Sequence, residues 1–287
     1  MPKTALIIVA ILYALIADFP AFSQSTTTPD PLQYADLADL SVSSPVIAHV
    51  TIKEAIKVDP KRAPNAPPNT QRYYIEASTN ALIRGLGGVP EMIRYVIDMP
   101  LDEKGRAPKI KKKQFLVFAR NLSTGNGDIQ LSAPDAQIAW TPERDQRVRS
   151  IVREIVARNA APAITGIGHA FHVPGTIIGE GETQVFLETK SGDPVSITIL
   201  SRQGQDKIWA VSLSEIVDEA AKAPQENTLL WYRLACFLPK SLPEDAISDT
   251  TAANVNQARV DYNLVIQDLG NCIRSRPPEF REHLLPQ

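Results

Sequence analysis

Six cations fall within ten residues: Lys104, Arg106, Lys109, Lys111, Lys112 and Lys113. Positive charge at that density selects anionic partners, whether an acidic polymer of a cell envelope, an acidic protein or nucleic acid. Arg84 is grouped with them as a candidate binding residue. One structural alternative is a solvated hairpin flank whose lysines guard an edge strand against pairing; another is that the chain's acidic half docks on the basic one with no external ligand. Recognition of single-stranded nucleic acid would also require outward aromatic rings for base stacking. Tyr73 and Phe115 read as inward-facing, so no nucleic acid is expected.

A second constellation is His169-Ala170-Phe171-His172. On a helix this spacing would bring the two imidazoles together; on a strand it sends them to opposite faces. Gly166, Gly168, Pro174 and Gly175 surround the pair and argue for a strand. A metal site would need further ligands such as Glu180, Glu182 or His49, so His169 and His172 remain candidates with no ligand set. Glu180 and Glu182 also offer a carboxylate pair for acid/base work. The glycines of 166–181 fit neither the dinucleotide fingerprint nor a phosphate-binding loop, and no cofactor is expected. Gly-x-Ser-x-Gly, Ser-x-x-Lys and His-Glu-x-x-His are absent, and four histidines leave few general bases. No catalytic residue is assigned.

The elements that would position these groups follow from periodicity. Val46, Ala48, Val50 and Ile52 alternate with Ile47, His49, Thr51 and Lys53, which predicts a strand over 46–58 with a bulge near Glu54. Alternation continues over 72–84 and 92–99. Residues 114–120 read as a strand whose continuous apolar run Phe115-Leu116-Val117-Phe118 suits burial on both sides, and 129–131 as a short fifth. Thr141-Pro142-Glu143 opens a helix with Thr as N-cap and Pro at the first position. Five strands and a closing helix predict an OB-like small β-barrel. Further on, 183–189, 195–200 and 208–213 form an antiparallel meander, with 164–173 a fourth strand. Helices are expected over 214–222, 228–238 and 252–273. The fold class is therefore α+β.

Composition limits the function classes. Of 287 residues, 44% are hydrophobic and 22% charged, which excludes wholesale disorder. The net charge of −2 conceals a division: residues 44–160 carry 19 Lys+Arg against 12 Asp+Glu, and residues 161–287 carry 10 against 16. We place a boundary at Ala160–Ala161, between a basic barrel domain (44–160) and an acidic α+β domain (161–287, meander 161–223 and helix pair 224–287). Residues 24–43 are expected to be a flexible tail. At the N-terminus, Lys3, the apolar run to Ala17 and Ala21-Phe22-Ser23 predict a Sec-type signal peptide cut between Ser23 and Gln24. No transmembrane segment is expected after the cut. Export means an oxidising compartment, where Cys236 and Cys272, each on the apolar side of a predicted helix, should form one disulfide linking that pair.

The segments KKKQFLVFAR, APDAQIAWTPERDQRVRSIV, ITGIGHAFHVPGTIIGEGETQVFLET, WAVSLSEIVDEAA and LLWYRLACFLPKSLP resemble those of exported alphaproteobacterial proteins of sphingomonad type. That resemblance implies a periplasmic or secreted address and no particular activity. The strand order ending in Phe-Leu-Val-Phe is similar to OB-like barrels of the netrin/inhibitor type, although the cysteines typical of those domains are missing. The expectation is an exported, non-enzymatic binding protein whose basic barrel loops engage an envelope protein or anionic polymer. The alternative is an envelope hydrolase or metal-dependent enzyme using His169, His172 and nearby carboxylates.

Overall fold

The alternation of residues 46–57 gives a strand with one dry face. In the computed structural model, which describes residues 32–122, 127–213, 222–248 and 251–280, strand β1 spans Val46–Lys57. Ala48, Val50 and Ile52 point into a barrel, while Ile47 points out of it toward the helices. Ile52 pairs with Ala77 and Glu54 with Glu76, so Lys53 is the extra residue of a bulge next to the expected position.

β1 lies between β2 (Thr70–Arg84) and β4 (Gln114–Asn121); β3 (Met92–Pro100) pairs with β2, and β5 (Ile129–Leu131) with β4. The Arg94 N–H reaches the Gly127 carbonyl at 2.9 Å, and a parallel bridge joins Arg94 to Asp128. These contacts draw β5 toward β3 and nearly close the circle β1-β2-β3-β5-β4, the partly open barrel the sequence predicted. A short strand unforeseen in the sequence, β6 (Gln137–Ala139), pairs with the first part of β4. Helix α2 (Pro142–Ile155) starts as expected, with the Thr141 hydroxyl accepting the Arg144 N–H.

The second sheet is antiparallel, in the order β10 (Ile208–Ser212), β9 (Val195–Ser201), β8 (Gly181–Thr189), β7 (Ile164–Pro174). Helix α3 (Leu229–Ala235) and helix α4 (Ala252–Leu269) follow, and α4 packs on β7 and β8. No helix among the described residues is long and apolar enough to cross a membrane. The expected signal peptide, its cleavage position, residues 24–31 of the tail and residues 214–221 of an expected helix lie outside the described residues.

Three expectations change. Residues 34–43 are not a tail but helix α1 (Tyr34–Ser43), buried on almost every side. Its Asp36 accepts the N–H groups of Gln33, Ser275 and Arg276 and the Ser275 hydroxyl, and Asp39 accepts Tyr232 and Arg274. A carboxylate is tolerated in such a place only when its lone pairs are taken. Second, α4 stops at Leu269 because Gly270 turns the chain at φ 70°, so Cys272 lies beyond the helix. The Cys236–Cys272 disulfide forms as expected, yet it ties the C-cap of α3 to the segment after α4. That segment then delivers Arg274, Ser275 and Arg276 to α1 and to Asp135. Third, the charge break at Ala160–Ala161 marks the passage from α2 toward the second sheet, but the core does not divide there. One apolar cluster combines Leu37, Leu40, Ile47, Leu116, Phe118 and Ile151 with Ile197, Trp231, Tyr232 and Tyr262. The described residues form one compact unit.

The bridge closes a loop with a sequence separation of 36. Cys272→Ser should lower the free energy of unfolding by about 3–4 kcal/mol on loop entropy, measured by urea denaturation. An unchanged midpoint would mean that the Asp36 and Asp39 bonds already hold the segment.

Candidate binding site

Two loops meet at one end of the barrel, and their cations make the candidate site. After β3 the chain turns tightly on Asp102, whose carboxylate accepts the N–H groups of Lys104 (2.9 Å) and Arg106 (2.8 Å). The bonds from Arg106 and Lys104 hold the Asp102 carboxyl below its ordinary range. Ile110 is buried and plugs the barrel's mouth beside Ala107, which leaves Lys109, Lys111, Lys112 and Lys113 on the outside. Lys112 takes the left-handed conformation (φ 66°) and lets its N–H meet the Ile52 carbonyl, while Ile52 N–H bonds Lys113 O. The β1–β2 connection adds Lys61 and Arg62 on a short turn, and Leu101 N–H bonds Asn69 O, joining the two loops. Lys53 and Lys57 come from the exposed end of β1.

This end therefore gathers ten cations against four carboxylates, Glu54, Asp59, Asp102 and Glu103. Arg106 is paired with Asp102 and Lys111 with Glu54. Lys53, Lys57, Lys61, Arg62, Lys104, Lys109, Lys112 and Lys113 make no ion pair among the described residues, and all are exposed in the intact chain. Among the described residues, no carboxylate of the acidic half forms an ion pair with them. The ion pair Arg276–Asp135 and the bond from Leu229 N–H to Glu154 join the halves with the opposite sense, carboxylates of the basic half meeting donors of the acidic half.

Arg84 does not belong to this surface. It stands at the other end of β2, where its Nη1 donates to the carbonyls of Ser41 (2.6 Å) and Ser44 (3.2 Å) at the end of α1. Burial there lowers its pKa. Its role is to satisfy helix-terminal carbonyls, a geometry set by residues forty positions away and invisible in the charge pattern.

The histidines separate as a strand requires. His169 lies exposed on the outer face of β7, stacked on Phe186 with ring centroids 4.4 Å apart. His172 is buried under α4, its Nδ1 2.9 Å from the Thr183 hydroxyl. Thr183 donates to Asp261 at 2.5 Å, which assigns the His172 Nδ1 as the donor to Thr183. Asp261 also takes Gln257 at 2.9 Å and an ion pair from Lys207. His49 is far along the barrel surface, stacked on Trp140 at 4.7 Å, and Glu182 accepts the Gln184 amide. No group of three His, Cys, Asp or Glu side chains converges among the described residues. Thr183 and Asp261 at the centre of the network are sealed from solvent. The network fixes α4 on the sheet, and Gly181 serves it sterically: a Cβ there would sit 2.7 Å from the His172 ring.

Sequence reasoning missed Asp261. The available signal was a lone carboxylate inside the apolar stripe Ala258, Tyr262, Val265. No protein-family model matches the chain, and no curated protein matches it.

Asp261→Ala leaves Lys207, Thr183 and Gln257 without their acceptor and should cost about 3–5 kcal/mol of stability. Chemical denaturation gives the loss, and amide hydrogen exchange should show it concentrated in α4. A loss under about 1 kcal/mol would contradict a structural role for the network.

Proposed function

We propose that this is an exported, non-enzymatic binding protein that takes an anionic polymer of the cell envelope on the basic end of its barrel. One observation carries the reading: eight exposed cations on two tied loops and the end of β1, without acid partners among the described residues. Long-range attraction from such a surface speeds encounter with a polyanion and does not depend on a shaped pocket. Lysines suit a flexible polymer, because each ammonium is a point charge on a mobile stem. The Cys236–Cys272 disulfide supports export, since structural disulfides persist in oxidising compartments.

Two measurements test the two parts of the proposal. With linear polyphosphate as probe, the triple variant Lys109→Glu, Lys112→Glu, Lys113→Glu should bind at least about tenfold more weakly at low salt, and wild-type affinity should fall as salt rises. The substituted residues are exposed, so far-UV circular dichroism should be unchanged. Equal affinity of variant and wild type would overturn the binding site. For the address, the chain produced with its own N-terminus in a Gram-negative host should be recovered from the periplasm beginning at Gln24. Recovery of the uncut chain from the cytoplasm would overturn export.

A further inference from the structure

The barrel's seam holds a second site of different chemistry. β5 has three residues against nine in β3, so past Leu131 no strand among the described residues lies along the edge of β3 that faces away from β2. The gap opens as a cleft of about 620 Å³ between β3, the end of β5 and the α1–β1 junction. That volume lies in the range of small-molecule sites.

Its polar groups are unbalanced. Arg72 and Asp98 close on each other with two bonds, Nε to Oδ1 at 2.8 Å and Nη2 to Oδ2 at 2.7 Å. Both Asp98 oxygens are thereby engaged. Arg120 has no carboxylate among the described residues; its Nε (3.1 Å) and Nη2 (2.6 Å) share one neutral oxygen, Oε1 of Gln130. That bond turns one edge of the guanidinium to Gln130 and leaves the Nη1 hydrogens unused. Ser132 accepts the Ser44 hydroxyl at 2.7 Å, so its own proton is free to donate, as is the amide nitrogen of Gln130. Beside the mutually paired Arg72 and Asp98, the cleft thus offers a second cation and several donors, and its side-chain acceptors Asp98, Gln130 Oε1 and Ser132 Oγ each already take a hydrogen bond. Beside them Val96 is 49% exposed, and Leu131 and Pro134 complete an apolar wall.

We propose that this cleft binds the oxyanion head, carboxylate or phosphate, of a small acid with an apolar body. Arg120 is the charge partner of the head, Gln130 positions Arg120, and Val96 receives the body. A guanidinium edge paired with an oxyanion by two parallel bonds is among the stronger polar contacts a protein makes. The site goes beyond the polymer-binding surface, because it uses neither lysine-rich loop.

The probes are benzoate, phenyl phosphate and neutral benzyl alcohol, which share one body and differ in the head. Titration at 150 mM salt is followed by 15N-resolved NMR of the Arg120 side-chain Nε–H and the amides of 130–133. Benzoate, phenyl phosphate or both should shift these signals saturably, and whichever binds more tightly names the head. Benzyl alcohol should bind at least about tenfold more weakly, as should the preferred anion to Arg120→Gln. Gln130→Glu places a carboxylate on Arg120 and should abolish binding while keeping the arginine, whereas Lys112→Gln should leave it unchanged. Equal binding of all three probes, undiminished binding to Arg120→Gln, or shifts confined to the lysine loops would overturn the proposal.

Discussion

Burial of β4 on both faces is the constraint on which the rest of the molecule depends. Phe115 and Val117 fill the barrel, while Leu116 and Phe118 enter the core shared with the helices and the second sheet. Each large side chain so buried contributes roughly 1.5–3 kcal/mol, and a one-residue slip would exchange the two sets. One strand therefore belongs to two cores, and neither can form with β4 out of register. This explains why halves of opposite charge make a single unit. The core of their union is apolar, through Ile47, Leu116 and Phe118, and among the described residues the polar bonds that join them involve none of the loop lysines. The lysine loops lie at the other end of β1, marked by Ile52, and are left to solvent.

The chain's two ends are secured by a different chemistry. Asp36 and Asp39 on α1 are fully buried, a position costly for a charge unless several donors converge on it. The segment after α4 supplies them, and the disulfide fixes its start two residues ahead of Arg274. Burial alone pulls the Arg274 guanidinium down; its bond and charge interaction with Asp39 more than offset this and raise it. Asp135 holds Arg276 in the same region. Anchoring thus passes from α1 through the disulfide-bound segment to the barrel's last connection.

What could be read from the residues was what depends on near neighbours. Alternation, and for β4 a continuous apolar run, located β1 to β5 and β7 to β10 within a residue or two, and Thr141-Pro142 located the start of α2, because pleat and cap are local. Helix α1 was missed because Asp36 and Asp39 look like solvated charges until Ser275 and Arg274, over two hundred residues later, are brought against them. β6 exists only by pairing with β4. Gly270 ended α4 at Leu269, four residues short of the expected end at 273, which moved Cys272 off the helix without preventing the disulfide. Among the site residues, the lysine loop was legible as composition, whereas Arg84 and Arg120 are defined by what they touch. Charge density can be counted in a sequence; that Gln130, a neutral residue, is what Arg120 bonds cannot.

The central claim is that the free positive surface lies on the two tied loops and the end of β1. Amine-reactive footprinting of the intact protein, with and without linear polyphosphate, tests it residue by residue. The account predicts protection of Lys53, Lys57, Lys104, Lys109, Lys112 and Lys113, with Lys190 and Lys240 of the acidic half reacting as before. Uniform protection of all lysines, or none on the barrel loops, would contradict it.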